Sequence, residues 1–406
     1  MPRLLQINVT ANRGSTGRIA EQIGEKVITA GWESYIAYGR DCGVSKSQLI
    51  KVGSQLGVLR HVLITRIFDR HGLSSKFATK KLIKDIKNIK PDIIHLHNVH
   101  GYYLNYKILF NYLQEANIPV VWTLHDCWSM TGHCTHFESV KCDRWQSGCY
   151  NCPLKNAYPS SLILDRSKKN YIEKKKCFSS IKNLTLVPVS NWIAGVVRKS
   201  FLKDANLIVN HNGIDVQVFH PCHDNNLVEQ YNLNGKRVIL GVASPWSDKK
   251  GLPDFSRLCA YLQNDAYQIV LIGLTSEQIK SLPKGIIGLC RTNSAIELAQ
   301  WYSLADVFVN LTYEDTYPTT NLEAISCGTP VITYRTGGSP ESVTPQTGRV
   351  VEQGDLDGVV KAVEELCAED RETMRERCRK YALEHFERDK NYKHYLDLYE
   401  QLLTNK

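Results

Sequence analysis

A chain of 406 residues is too long for one ordinary domain and long enough for two of roughly 150 to 200 residues, each with its own core. Its 43% hydrophobic and 22% charged residues exclude a disordered or low-complexity protein, and no run approaches the ~18 to 20 apolar residues of a membrane-spanning helix. The net charge of +9 is unevenly held: residues 1–210 carry 30 Lys and Arg against 14 Asp and Glu, a net +16, and residues 211–406 carry 20 against 27, a net −7. The halves therefore face different partners, the basic one suiting nucleic acid, an anionic membrane surface or a phosphorylated ligand.

In chain order, 4–9 reads as a first strand, followed by a loop and a helix from about Gly17. The strand series continues at 34–38, 93–96, 120–124 and 184–189. Between them, Lys80 to Lys87 places apolar residues at 82, 83 and 86, an amphipathic helix whose basic face either lies against anionic lipid or is simply solvated. His95, His97 and His100 end the strand at 93–96, and His125 and Asp126 end the one at 120–124. Alternation puts His95 and His97 on one face, so one of them is expected to be buried and hydrogen-bonded. An insertion at about 127–160 carries Cys134, Cys142, Cys149 and Cys152, with His133 and His136 nearby. Only one pair has close CxxC spacing, so the set reads as a structural zinc site, as free thiols or as a redox pair. Thirteen cysteines are an odd number, and the N-terminus runs directly into a strand pattern, so the expectation is a cytoplasmic protein with reduced thiols or metal-bound ones.

A turn-rich stretch, Asn210-His211-Asn212-Gly213-Ile214-Asp215, separates a second strand series at 238–242, 269–272, 307–311 and 331–334, with helices at 357–367 and 371–385. The result is an α/β chain of two Rossmann-like domains with parallel sheets, where ligands bind beyond the carboxyl ends of the strands. Helical apolar spacing through Tyr392, Tyr395, Leu396, Leu398, Tyr399 and Leu402 predicts a C-terminal helix.

The chemistry concentrates in the second half. Asp315 falls on a polar loop after the strand at 307–311, ahead of a helix opened by Thr320. A diphosphate at that helix N-terminus meets free N–H groups and the favourable end of the dipole, and Glu323 is placed to accept from ribose hydroxyls. Thr320-x-x-Glu323 is also a capping box, in which Glu323 would only satisfy a backbone N–H. Gly337-Gly338, after the next strand, allows close backbone approach to phosphate. Lys249-Lys250-Gly251, after the strand at 238–242, offers cations to a departing diphosphate.

These features resemble retaining glycosyltransferases of family GT4, specifically the exopolysaccharide and colanic-acid-type transferases, over essentially the whole chain. The family's two acids separated by seven residues become Asp315 and Glu323, followed by Ala324 and Cys327-Gly328-Thr329-Pro330. The first acid is usually Glu, and Glu314 is adjacent. The family's Arg before Lys-Gly has no counterpart near Pro245 and Trp246, which leaves Lys249 for the second charge beside Lys250. Asn12 to Gly17 resembles the family's glycine loop and is not a GxGxxG fingerprint, so no NAD is expected.

The resemblance implies a GT-B fold with two domains facing across a cleft: an acceptor domain at 1–210, a nucleotide-sugar domain at 211–380, and a helix at 381–406 crossing back to the first. It implies Asp315, Glu323, His125 and Lys250 as catalytic residues. Lys249, Thr319, Thr320, Asn321, Gly337, Gly338 and Gly17 are then donor contacts, and Gly14, His97, His100 and Asp126 acceptor contacts. The implied donor is a UDP- or GDP-sugar, with no catalytic metal. The implied acceptor is a lipid-linked oligosaccharide at the inner membrane face, in surface polysaccharide synthesis. A GT-B-like sugar-nucleotide epimerase or phosphorylase is the alternative enzyme, and a nucleic-acid-binding protein, for which no motif is present, the non-enzyme alternative.

Overall fold

The computed structural model describes residues 1–222, 225–262 and 266–404. The chain divides into two compact units: Met1–His211 with Tyr392–Lys406, and Asn212–Asn391.

The first unit holds strands β1 (Arg3–Asn8), β2 (Glu33–Tyr38), β3 (Gln48–Lys51), β4 (Ile93–Leu96), β5 (Val120–Leu124), β6 (Leu184–Pro188) and β7 (Asn206–Leu207). They form one parallel sheet in the order β3-β2-β1-β4-β5-β6-β7. Helices α1 (Gly14–Thr29), α2 (Gln55–Phe68), α3 (Lys76–Ile89), α4 (Tyr106–Ala116), α5 (Ser167–Phe178) and α6 (Asn191–Lys199) make the connections. β4, β5 and β6 are buried on both faces, which is why their sequences run apolar without alternation. α1 starts at Gly14, three residues earlier than the sequence suggests, so Gly17 lies inside it. A Cβ on Gly17 would stand 2.6 Å from Thr10 Oγ1, and that close packing of loop on helix is what requires the glycine.

The second unit repeats the plan with β8 (Arg237–Val242), β9 (Tyr267–Ile272), β10 (Ile286–Leu289), β11 (Val307–Asn310), β12 (Val331–Tyr334) and β13 (Gly348–Val351), in the order β10-β9-β8-β11-β12-β13. Its helices are α7 (Asn225–Gln230), α8 (Leu252–Tyr261), α9 (Ser276–Lys280), α10 (Ala295–Leu304), α11 (Thr319–Ser326), α12 (Leu356–Ala368) and α13 (Arg371–His385). α8 packs with α12, and α11 with α10 and α13.

Both sheets reverse strand order once, between β1 and β4 and between β8 and β11, and such a switch point opens a crevice at the carboxyl ends of the two strands.

The last helix, α14 (Arg388–Thr404), leaves the second unit and joins the first. Tyr392, Tyr395, Leu398 and Tyr399 enter one core cluster with Leu4, Ile19, Ile23, Val27 and Trp32. The part that joins the first unit begins at Tyr392, later than the 381 expected, because α13 packs against α11 in the second unit.

Candidate functional site

At the switch point of the second unit, the loop after β8 makes a single helical turn, Asp248–Lys250, that ends at Gly251. The loop after β11 carries Glu314 and Asp315 towards it. Lys250 Nζ donates to Asp315 Oδ2 at 2.8 Å and to the Glu314 carbonyl at 3.3 Å. Lys249 Nζ lies 2.7 and 2.8 Å from the two Glu314 carboxylate oxygens. Glu314 is buried, and Asp315 and Lys250 are partly open, at 21% and 35% side-chain exposure. Both ion pairs tie the loop after β8 to the loop after β11, and Lys249, at 41% side-chain exposure, is the more open of the two lysines.

α11 opens at Thr319 after Pro318, and no side chain caps it. Glu323 is the fifth helical residue and accepts from the Tyr302 hydroxyl at 3.0 Å, and the alternative of a Thr320–Glu323 capping box does not hold, because the N-cap is Pro318, two residues before Thr320. Tyr302, on α10, carried no signal in the sequence because it lies 21 residues away on another helix. Thr319 and Thr320 form the half-buried first turn. Asn321 is fully buried, accepting from Asn310 at 2.8 Å and donating to Ser342 Oγ at 3.0 Å. Its side chain ties β11 to the turn beyond β12. Gly337 takes φ +51°, Gly338 N meets the Asp315 carbonyl at 3.4 Å, and buried Asp254 of α8 accepts from the Tyr313 and Tyr334 hydroxyls at 2.7 and 2.8 Å. The loops after β8, β11 and β12 are thereby joined.

At the switch point of the first unit, buried Asn8 spans the loops after β1 and β4, donating to the Thr10 carbonyl at 2.9 Å and accepting from Asn98 N at 3.3 Å. Gly14 is exposed, with open space around it. His95 and His97 are both buried, where the sequence predicts one. His95 joins Thr123 at 2.7 Å and Tyr399 at 2.7 Å. His97 joins Gln6 at 3.0 Å and His125 at 3.1 Å, so both its ring nitrogens are engaged. Burial pushes the His125 imidazole down to about 4, against the pull of Asp126, and His125 is neutral at physiological pH. His100 Nε2 stands 2.7 Å from Asp126 Oδ2. Burial raises the Asp126 carboxyl, but the facing His100 and its hydrogen bond outweigh this and hold it at about 2.

In the insertion, Cys134, Cys142, Cys149 and Cys152 line one small cavity with His133 and Trp145, and all are free thiols. Among the described residues no group of three or more His, Cys, Asp or Glu is assembled to hold a metal ion. A buried polar set holds the insertion: Lys174 Nζ donates to the Trp128 and Thr131 carbonyls at 2.6 and 3.0 Å, and Asp69 pairs with His133 at 2.6 Å. Among the described residues no helix is long and apolar enough to cross a membrane.

Residues 16–218 match the family model described as Glycosyltransferase Family 4, and residues 224–385 the one described as Glycosyl transferases group 1. The chain is 26% identical over 369 residues, 87% of its length and 88% of the other's, to the protein of Escherichia coli (strain K12) assigned as the colanic acid biosynthesis glycosyl transferase WcaC. The fold is that of sucrose-phosphate synthase from Thermosynechococcus elongatus (TM-score 0.75, 18% identity, all of both chains). It is also that of Anabaena Alr3699/HepE in complex with UDP-glucose (TM-score 0.67, 13% identity, 98% of this chain and 99% of that one).

Proposed function

The chain belongs to glycosyltransferase family 4 and is a glycosyltransferase of GT-B fold, and from that premise we propose that it moves a sugar from a nucleotide-diphosphate donor to a lipid-linked glycan, with retention of configuration, in polysaccharide biosynthesis. The observation that carries the reading is the gathering of Lys249, Lys250, Glu314 and Asp315 at the switch point between β8 and β11. The UDP-glucose held by Alr3699/HepE supports a nucleotide sugar as donor, and the WcaC likeness supports the polysaccharide setting.

Transfer develops positive charge at the anomeric carbon and negative charge on the departing diphosphate. Lys250, the α11 N-terminus and the Gly337-Gly338 turn meet the diphosphate, with Lys249 holding Glu314 in place and adding positive potential. Lys250 exchanges Asp315 for phosphate as the donor binds, which frees Asp315 for the sugar hydroxyls or the developing cation. Glu323, aimed by Tyr302, accepts from the ribose. Neutral His125 can donate to or accept from a hydroxyl of the transferred sugar without adding charge, and the leaving phosphate serves as base for front-face attack. His100, Asp126 and Gly14 face the acceptor. The protein works at the cytoplasmic membrane face.

The test is a thermal-shift panel of UDP-, GDP- and ADP-sugars on wild type and Glu323→Gln. A ligand at 100 times its dissociation constant stabilises by ~2.7 kcal/mol. A shift with one nucleotide, lost in the variant, is expected; no shift with any would end the donor-site assignment.

A further inference from the structure

α2 is built inside out. It carries Leu56, Val58, Leu59, Val62, Leu63, Ile64, Ile67 and Phe68, yet its fully buried residues are the polar His61 and Thr65. Leu56, Leu59 and Leu63, at the i, i+3, i+7 spacing of one helix face, are 79%, 65% and 58% exposed. Phe77, at the start of α3, is 86% exposed. A stripe of this kind on a water-facing surface marks an interaction site. Between α2 and α3 runs a groove of about 700 Å³ with Val58, Ile64, Leu73 and Ala78 in its lining.

Charge identifies the occupant. Residues 40–90 hold 12 Lys and Arg against three Asp and no Glu, and one of the three, Asp69, is buried against His133. Lys51, Arg60, Arg70, Lys76 and Lys81 line the groove, and all are exposed. A second copy of the chain would set this basic surface against itself, whereas an anionic bilayer supplies hydrocarbon for the leucines and phosphate for the cations together.

We propose that the α2–α3 face docks on an anionic phospholipid bilayer, with Leu56, Leu59, Leu63 and Phe77 entering the acyl boundary, one acyl chain occupying the groove, and the surrounding lysines and arginines on the headgroup phosphates. The proposal specifies the surface for the membrane-side reading above. It uses none of the residues assigned to donor or acceptor, so the two fail separately.

Co-sedimentation of the full chain with vesicles tests it. Wild type pellets with vesicles of equal parts phosphatidylglycerol and phosphatidylcholine, is left in solution by phosphatidylcholine alone, and is released by high salt. Leu56→Ser/Leu59→Ser/Leu63→Ser keeps every charge and binds anionic vesicles at least about tenfold more weakly. Lys76→Ala/Lys80→Ala/Lys81→Ala weakens binding and flattens its salt dependence. The positions are exposed, and an unchanged nucleotide-sugar thermal shift shows that the variants fold. Leucine variants that bind like wild type would overturn the proposal in favour of charge alone. So would a wild type that ignores anionic vesicles, or one that self-associates in light scattering with the association lost in the leucine variant.

Discussion

Gly251 occupies φ +76°, and a Cβ there would stand 2.3 Å from the Leu311 carbonyl oxygen. Both the backbone conformation and the space demand glycine where the loop after β8 meets the one after β11. Gly251→Ala is expected to cost about 3 kcal/mol in urea unfolding and to weaken donor binding by displacing Lys250; unchanged stability would mean that the loops are not coupled there. Tyr302→Phe removes the hydrogen bond that aims Glu323. Its expected cost is about 1 kcal/mol of stability, together with a loss of nucleotide-sugar affinity that Glu323→Gln does not deepen. An additive double variant would separate the two residues. Lys250, Asp315 and Glu323 were legible in the sequence through their places after the strands and the resemblance to family GT4. Tyr302, Asn8 and Gln6 were not, because each acts on a partner brought near only by the fold. Strand alternation gives the face on which His97 lies, but not Gln6 and His125, the side chains that meet it there.

Continuous apolar runs announced β1, β4, β5, β6, β8 and β9, since a strand covered on both faces needs apolar residues at nearly every position. The edges were silent. β3 has three of its four residues exposed and β7 has only two residues, so neither holds a pattern. The cysteine insertion has no periodicity to read, and its anchor, buried Lys174, comes from α5, beyond it. α14 was legible through its tyrosines, whose roles were not. Tyr399 reaches His95 Nδ1 at 2.7 Å and Tyr395 reaches Thr123 Oγ1 at 2.9 Å, so a helix from the far end of the chain satisfies the polar side chains of β4 and β5. Tyr399→Phe is expected to destabilise the first unit by about 1 to 3 kcal/mol through the partner left unsatisfied, read as a lowered melting temperature; no change would assign the hydroxyl's bond to water.

Across the molecule, the histidine cluster makes the first unit acid-sensitive. Burial holds His61 and His125 down to about 4, and His71, His95 and His97 well below 6.5. Unfolded, these rings take up protons below about pH 6.5, so the unfolded state binds more protons than the native one as pH falls. Stability present above pH 6.5 is therefore lost progressively towards pH 4, at about 1.4 kcal/mol for each tenfold change in proton affinity. Melting curves should show that loss in the transition of the first unit, and a flat profile across this window would contradict the buried neutral rings.

The chain order of the two units has a consequence for synthesis. Asn212–Asn391 is an uninterrupted stretch lying inside the sequence of the other unit. The core around Leu4 and Trp32 is finished only by Tyr392, Tyr395, Leu398 and Tyr399. On the ribosome the half encoded second can therefore fold first, and the half encoded first must wait, its sheet lacking its last helix, until nearly 400 residues have been translated.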